Sequence, residues 1–587
     1  EWYRKNKTDI NSNGIFDYVY GPGNDSDGVD LNRNYDFNWI FGDDKYELDY
    51  GCSGNPSYIS NYDYYRGEEP FSELEIQAIR DFALEKQFLL SIAYHSSRSG
   101  CVSEKVIYPW RWTETKESPD FEVIDKLGRD IASLIPTQDG ITTYLPSGSV
   151  SRRGNAHDWF YSQTGCIQYL IEAGTSNIQS NDEQVIEDTI DRNLIGAFHL
   201  INRASGNNFG ELAADKYQIN GLVKDINSSQ TLEAEVTILE MDGPMLQPRM
   251  TDEFGRYRRL LHPGTFTMEV RSKGYKTHLE ENIVPSSGSF TEKDIFLEPL
   301  ENHLVDFNFN FPIYYDYTSP LVVSLESDWG TEYFEIFSDN FQLNLYEGYY
   351  KITFNGMGSN HILPIVKELE VSSNIQLNYN FEWAKLLYSG IDPNDWVVDS
   401  GDWFFNNKLF SQSSSYYGSD SFGSLSLDST FIASNIVALF DMKYEYEWDN
   451  DYIQLSISSS SGNSSNIKTL TGMNYKNYNK VLLNHVDDQV LNDLSINISM
   501  NTDESLYYRG SIIRDLQVIS DSGNQACNFG DANFDGHINV GDIMKVINFI
   551  LLLDSAEGYY KCVSDLNQDD RLNISDILIL VNLILGD

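Results

Sequence analysis

Two stretches near the end of this 587-residue chain, DANFDGHINVGD at 531–542 and DLNQDDRLNISD at 565–576, repeat the same oxygen-bearing positions 34 residues apart. A hard divalent cation such as Ca2+ takes about six to eight oxygens, and a twelve-residue loop supplies them from positions 1, 3, 5, 7, 9 and 12. The first copy offers Asp531, Asn533, Asp535, the His537 carbonyl, Asn539 and Asp542; the second offers Asp565, Asn567, Asp569, the Arg571 carbonyl, Asn573 and Asp576. Each copy therefore reads as a Ca2+ loop; a pair that needs the ion only to fold explains the same letters. Where Gly536 makes the sharp turn of the first copy, the second has Asp570. Near the start, Asp9, Asn11, Asn13, Gly14 and Asp17 follow a similar rhythm, with Asp25 and Asp27 next. An Asn/Gly-rich surface turn accounts equally for that stretch.

Three other motifs carry a guanidinium, an imidazole and a carboxylate. GVDLNRNYDFNW at 28–39 contains Asn32 and Arg33, SIAYHSS contains His95, and QYLIEAG contains Glu172. An Arg fork matches a carboxylate bidentately, with an Asn amide alongside. A structural ion pair is the plainer role for Arg33, and a satisfied core residue the plainer role for a lone His on an apolar strand.

These side chains need elements to position them. PFSELEIQAIRDFALEKQ predicts a helix over about 71–87, with Ser72 and Glu75 in capping-box spacing and Ile76, Ile79 and Ala83 on one face. FLLSIAYH reads as a buried strand presenting His95 at its carboxyl end, CIQYLIE as one ending in Glu172, and residues 182–204 as a closing helix. Functional residues at strand carboxyl ends after helices predict an open α/β sheet with its site along that edge. From about 210 the period falls to two: Ala234, Val236 and Ile238 alternate with polar residues, predicting a β-sandwich over 211–299. A second β domain is expected over 300–385, and a Ser-, Gly- and Tyr-rich sandwich, jelly-roll in type, over 386–520. The calcium repeat, each loop followed by an apolar helix, fills 524–587.

In order, wording and spacing the three motifs resemble the zinc carboxypeptidases over roughly residues 1–205. The resemblance implies an open mixed α/β sheet and one catalytic Zn2+ held by His95 and by two ligands from a His-x-x-Glu motif, which should lie upstream of Glu1. It implies that Asn32 and Arg33 clamp a terminal carboxylate and that Glu172 is the general base. Lys7 ends YRKNK where the family has an Arg polarising the scissile carbonyl, and a point charge cannot form the same fork. Val150 stands where the family's mobile tyrosine is expected, leaving Tyr144 as the nearest substitute, and His157 falls at the floor of the specificity pocket. His278 and Glu281 also spell H-x-x-E, but in the β region after the other motifs, and are rejected as ligands. TDEFGRY, HPGTFTMEV and KGY resemble a transthyretin-like module. The terminal repeat, with Asp at position 12 and helices only on the exit side, resembles a dockerin, which implies a cohesin-type partner.

A balance of 41 Lys+Arg against 88 Asp+Glu, formally −47, argues against nucleic acid and anionic membranes. No run approaches the ~18 apolar residues needed to cross a bilayer. Of five cysteines, Cys527 and Cys562 occupy matching places in the repeat and are expected to pair, Cys52 with Cys101 less clearly, while Cys166 reads as a buried free thiol. The expected protein is a secreted or cell-surface monomeric metallocarboxypeptidase acting on peptide or protein C-termini and docked by its tail. The alternative is a non-catalytic binding or scaffold protein with a decayed peptidase fold and adhesive β domains.

Overall fold

The computed structural model describes residues 5–16, 27–39, 65–96, 103–175, 182–206, 215–411, 416–459, 465–521 and 527–586. Asp17, Asp25, Cys52 and Cys101 lie outside the described residues. The chain divides into two compact units, Glu1–Pro299 and Leu300–Asp587.

The first unit is organised by a four-stranded mixed sheet in the order β1 (Leu90–His95), β4 (Ile167–Glu172), β2 (Lys105–Tyr108), β3 (Leu145–Gly148). β4 is buried at every position, as a near-continuous apolar run should be when covered on both faces. It runs parallel to β1, from Leu90 opposite Ile167 to His95 opposite Glu172, and antiparallel to β2, with Lys105 opposite Glu172. β1 is half-buried rather than buried, because β4 is its only strand neighbour among the described residues; Tyr94 points out to solvent.

Four helices surround the sheet: α1 (Leu74–Lys86), α2 (Phe121–Leu134), α3 (Ala156–Thr164) and α4 (Glu183–Ser205). α1 starts later than its sequence predicts, and the Ser72–Glu75 capping box does not form. The Ser72 hydroxyl donates instead to Glu73, which is the N-cap residue without a side-chain cap bond. Ile76 and Ala83 are buried but Ile79 is exposed, so the covered face is narrower than its periodicity. α4 matches the predicted closing helix and is capped by Asp182, which accepts from Gln184 N–H. α2 buries Ile124, Leu127 and Ile131 against the sheet side that carries Tyr169, whose hydroxyl donates to the Ile124 carbonyl at 3.0 Å.

Behind this layer, strands Gln218–Asp225, Arg256–Leu260 and Ile295–Leu297 face a sheet of Glu235–Ile238, Phe266–Arg271 and His278–Ile283. Phe266, Met268 and Val270 are buried in alternation, as the period of two requires. One apolar cluster runs from Trp110 and Tyr169 through to Val236 and Met268. Arg249 adds a polar tie by donating to the carbonyls of Tyr161 and Ser162 at 2.7 and 3.1 Å. His278 sits on a strand here, beside Glu280, consistent with its rejection as a zinc ligand.

The second unit begins with a two-sheet β domain. One sheet is Asn340–Tyr346, Asn302–Asn310, Ile375–Asn380; the other is Gly330–Ile336, Leu321–Ser327, Gly348–Gly356, Ile365–Val371. A ten-stranded assembly follows from Ala384 to Asp521, with Ile453, Leu455 and Ile457 alternately buried. The chain ends in helices α5 (Val540–Ile550), α6 (Tyr559–Ser564) and α7 (Ile574–Leu585), fastened by a Cys527–Cys562 disulfide. Cys166 is a buried free thiol.

Candidate functional site

His95 and Glu172 end neighbouring parallel strands in direct register, so both side chains leave the same face at the sheet's carboxyl edge. The backbone closes the pair off, with Ala173 N–H donating to the His95 carbonyl at 2.8 Å. Two residues on, Gly174 N–H donates to the Tyr144 hydroxyl at 3.1 Å, and the Asn193 amide reaches the same oxygen at 3.4 Å. Tyr144 is 2% exposed. It is therefore a strut under the turn after Glu172, not a solvent-facing cover, whereas Val150 is exposed.

The segment carrying Asn32 and Arg33 is a short 3-10 turn, Leu31–Arg33, started by the Asp30 carboxylate, which accepts from Asn32 N–H. It is stitched to the approach of α3. Asn32 Oδ1 accepts from Ala156 N–H at 2.9 Å, capping that helix, and Arg33 Nη1 donates to Asn155 Oδ1 at 3.1 Å. Gly154, at φ +68, lies so close that a Cβ would stand 2.5 Å from the Arg33 carbonyl oxygen, so only glycine fits. Asn34 ties the other flank, accepting from Glu73 N–H and donating to the Arg66 and Glu69 carbonyls.

His157 lies in the first turn of α3, and burial, then Arg33, then His95 press its imidazole down to about 3. Those same influences put Arg33, His95 and His157 in one electrostatic neighbourhood. Burial pushes the adjacent Asp158 carboxyl well up, and the His157 ring approaches that carboxyl at 3.7 Å. Neither His157 ring nitrogen has a hydrogen-bond partner among the described residues. Lys7 is exposed on a segment paired with the Asn32 approach, through Asn6 N–H to the Val29 carbonyl and Gly28 N–H to the Thr8 carbonyl. A catalytic zinc takes three protein ligands. His95 is a residue of the ligand type, but the only described grouping of three or more metal-type side chains within 4.8 Å is Glu447, Asp451 and Asp503, far along the sequence in the ten-stranded assembly. No sequence spacing announced that grouping. A cavity of about 640 Å3 lies at the amino ends of β1 and β4, beside Leu89 and Ile167, at the opposite edge from His95 and Glu172.

The tail loops repeat one another bond for bond. Asp531 accepts from the N–H groups of Asp535 and Gly536, and Asp565 from those of Asp569 and Asp570. Asp535 and Asp569 each accept from the residue two on, His537 and Arg571. Asp542 and Asp576 take N–H bonds from the third loop position and complete capping boxes with Asn539 and Asn573 on α5 and α7. Asp570 adopts φ +66, close to the +81 of Gly536, so it makes the same turn without glycine. Asp531, Asp542, Asp565 and Asp576 are all buried, and burial raises the carboxyls of Asp531 and Asp542. Converging buried carboxylates are costly unless a cation neutralises them, so this donor set fits Ca2+.

The first half of that bonding pattern recurs at the start of the chain. Asp9 accepts from Asn13 and Gly14 N–H, Asn11 from Asn13 N–H, and Asn13 from Ile15 N–H. Ser12 and Gly14 take φ +55 and +80, matching +57 and +81 at Phe534 and Gly536. The loop is closed by buried Asp27, whose Oδ1 accepts from Ile10 N–H at 3.1 Å, just as Asp576 accepts from Leu566. The sequence rhythm had pointed to Asp17 for this place.

Residues 1–193 match the zinc carboxypeptidase family model, and residues 529–585 match the dockerin type I domain model. The chain thus carries a zinc carboxypeptidase region followed by β domains and a dockerin region. Similar curated proteins are carboxypeptidase A1 of Mus musculus, 32% identical over 142 residues, and carboxypeptidase B of Astacus astacus, 28% over 151 residues. Carboxypeptidase N catalytic chain of Rattus norvegicus is 26% identical over 284 residues. These alignments cover 23, 25 and 44% of this chain and 29, 44 and 54% of those proteins, so the chain spans about half or less of each relative. Among solved structures, a streptococcal ancillary pilin covers 28% of this chain and 61% of its own at 11% identity and a TM-score of 0.19, a similarity too small to define a fold. The zinc carboxypeptidase family implies Zn2+ and the dockerin region Ca2+. No helix among the described residues is long and apolar enough to cross a membrane.

Proposed function

We propose that the protein is a secreted, zinc-dependent carboxypeptidase that releases residues from peptide or protein C-termini, tethered by its calcium-binding tail to a cohesin-type partner. The observation that carries this reading is the direct register of His95 and Glu172 at the sheet's carboxyl edge, with Arg33 and His157 in the same neighbourhood. In it, His95 supplies one zinc ligand. Zinc, when bound, supplies Lewis-acid activation of water. Arg33, oriented by Asn155, holds the substrate carboxylate, with Asn32 alongside. Glu172 takes the proton and hands it to the leaving amine. Lys7 is the cation for the scissile carbonyl, and Tyr144 fixes the turn after Glu172. His157, whose ring nitrogens have no hydrogen-bond partner among the described residues, offers a neutral donor and acceptor to the terminal side chain.

The tail is proposed to bind two Ca2+, through Asp531, Asn533, Asp535, Asn539 and Asp542 and through Asp565, Asn567, Asp569, Asn573 and Asp576, with the His537 and Arg571 carbonyls. A third Ca2+ is proposed at Asp9, Asn11 and Asn13, closed by Asp27 and bracing the approach to Arg33. A scaffold reading is favoured by the exposed Lys7 and the buried Tyr144, neither placed as the family pattern asks. Zinc content and turnover decide between them. The enzyme reading expects about one zinc per chain and a Glu172→Gln variant that keeps the zinc but loses ~100-fold or more of C-terminal residue release. Full activity in that variant ends the enzyme assignment.

A further inference from the structure

The dockerin region does not stand clear of the β domain that begins the second unit. Phe307 and Trp383 of that domain share one apolar core with Phe549, Tyr559 and Leu580 of the tail. At the contact, the His361 ring stacks on Phe534 at 4.2 Å, meets Tyr559 and Tyr560 edge-on, and hydrogen-bonds the Tyr560 hydroxyl at 3.0 Å. Tyr559 N–H donates to the Ser359 carbonyl, and a Cβ at Gly558 would stand 2.7 Å from that same oxygen. Backbone approaches of this kind need a fixed relative position. The β domain and the tail are therefore packed as parts of one body, not as beads on a tether.

The contact reaches a calcium loop through one side chain. The Tyr314 hydroxyl donates to Asp565 Oδ2 at 3.3 Å, and Asp565 is position 1 of the second loop. The Lys561 ammonium lies 4.6 Å over the Tyr314 ring and pairs with Asp570, the residue at the sharp turn of the same loop. Asp565 also accepts from Asp569 and Asp570 N–H, so Tyr314 adds a donor from another domain to a carboxylate whose orientation decides ligation. Outer groups that hold a ligand's orientation commonly change metal affinity about 10-fold or more.

We propose that residues 302–383 are the docking platform of the tail, and that docking and Ca2+ binding by the second loop form one coupled equilibrium in which Tyr314 is the positioning residue. The inference rests on the reading that the tail loops bind Ca2+. Coupling of this kind is reciprocal: the platform raises the loop's affinity, and the ion tightens the platform contact. Among the described residues no hydroxyl of the β domain bonds the first loop in this way, so the effect is specific to the second.

The test is peptide-resolved hydrogen exchange on the full chain across a series of free Ca2+ concentrations. Tyr314→Phe keeps the ring and its packing but removes the hydroxyl. The expected result is a midpoint for protection of residues 565–576 that rises about 10-fold in the variant. In the unaltered chain, Ca2+ is expected to slow exchange at residues 357–363 as well. An unchanged midpoint, or a 357–363 segment indifferent to Ca2+, overturns the coupling while leaving calcium binding intact. Absence of any Ca2+-dependent protection of 565–576 in the unaltered chain overturns both.

Discussion

The loop at residues 9–15 and the two loops of the tail begin with the same hydrogen bonds and end differently. In the tail the closing acids, Asp542 and Asp576, come eleven residues after Asp531 and Asp565, in the first turn of a helix whose cap they complete. At the start of the chain the closing acid is Asp27, eighteen residues after Asp9 and directly before Gly28 and Val29. The difference teaches that the entry half of an oxygen-rich loop is a local device. Asp and Asn side chains fold back onto N–H groups two to five residues on, and residues at positive φ make the turn. The exit half is a tertiary fact, supplied by whichever carboxylate the fold returns to the same place.

Removing calcium breaks the comparison most visibly. Chelation is expected to cost the tail most of its helix signal, because Asp531, Asp542, Asp565 and Asp576 are buried carboxylates in the two loops, while the first unit keeps its secondary structure. Far-ultraviolet dichroism with and without chelator reads this; an unchanged spectrum removes the calcium assignment for the tail. Next in size, Asp576→Ala and Asp27→Ala are each expected to lower calcium stoichiometry by one, measured by calorimetry. Asp576→Ala also costs about 1 kcal/mol through the lost helix cap, and Asp27→Ala does not, since no helix depends on it.

The glycines sharpen the comparison. Gly536→Ala is expected to destabilise the tail by about 1–2 kcal/mol, because φ is +81 and a Cβ would sit 3.1 Å from the Leu386 carbonyl. Gly14 at φ +80 has open space around it, so Gly14→Ala pays the backbone cost alone, about 1 kcal/mol. Denaturant midpoints for the two units separate these values.

The smallest expected effect is on pH. Burial presses the His361 imidazole down to about 4 from an ordinary value of 6.5. The unfolded chain therefore takes up a proton first as pH falls, and stability drops between 6.5 and 4, by at most about 1.4 kcal/mol per pH unit. Above 6.5 the contribution is full. At saturating calcium, His361→Gln is expected to show a flatter stability profile across that window; parallel profiles remove His361 as the cause.

The sequence made the tail legible because every donor there is local: twelve letters set each loop, and the apolar helices follow at once. Two apolar strands ending in His95 and Glu172 were legible as well, but their pairing in register came only from the fold. What stayed hidden depends on neighbours distant in the chain. The apolar letters of FLLSIAYH hid a half-buried edge strand, because burial on its outer flank depends on which strand lies beside it. Ser72 and Glu75 had the spacing of a capping box, but Glu73 is drawn to Asn6, Thr8 and Ser72, and the cap is lost. Tyr144 was the nearest substitute for the family's mobile tyrosine, whose place Val150 takes, whereas Gly174 and Asn193 hold it as a strut. Asp27, Tyr314 and His361 are single polar residues in ordinary text, and only the fold gives them partners.

The Cys527–Cys562 bridge spans the first calcium loop and all of α5, joining the entrance of the tail to α6. A closed loop of that length withdraws about 3–4 kcal/mol of chain freedom from the unfolded state. Reducing surroundings leave such thiols open, and calcium-poor surroundings leave the loop carboxylates repelling one another. On the proposed calcium reading the tail is built to mature late, assuming its shape where oxidant and calcium are both plentiful.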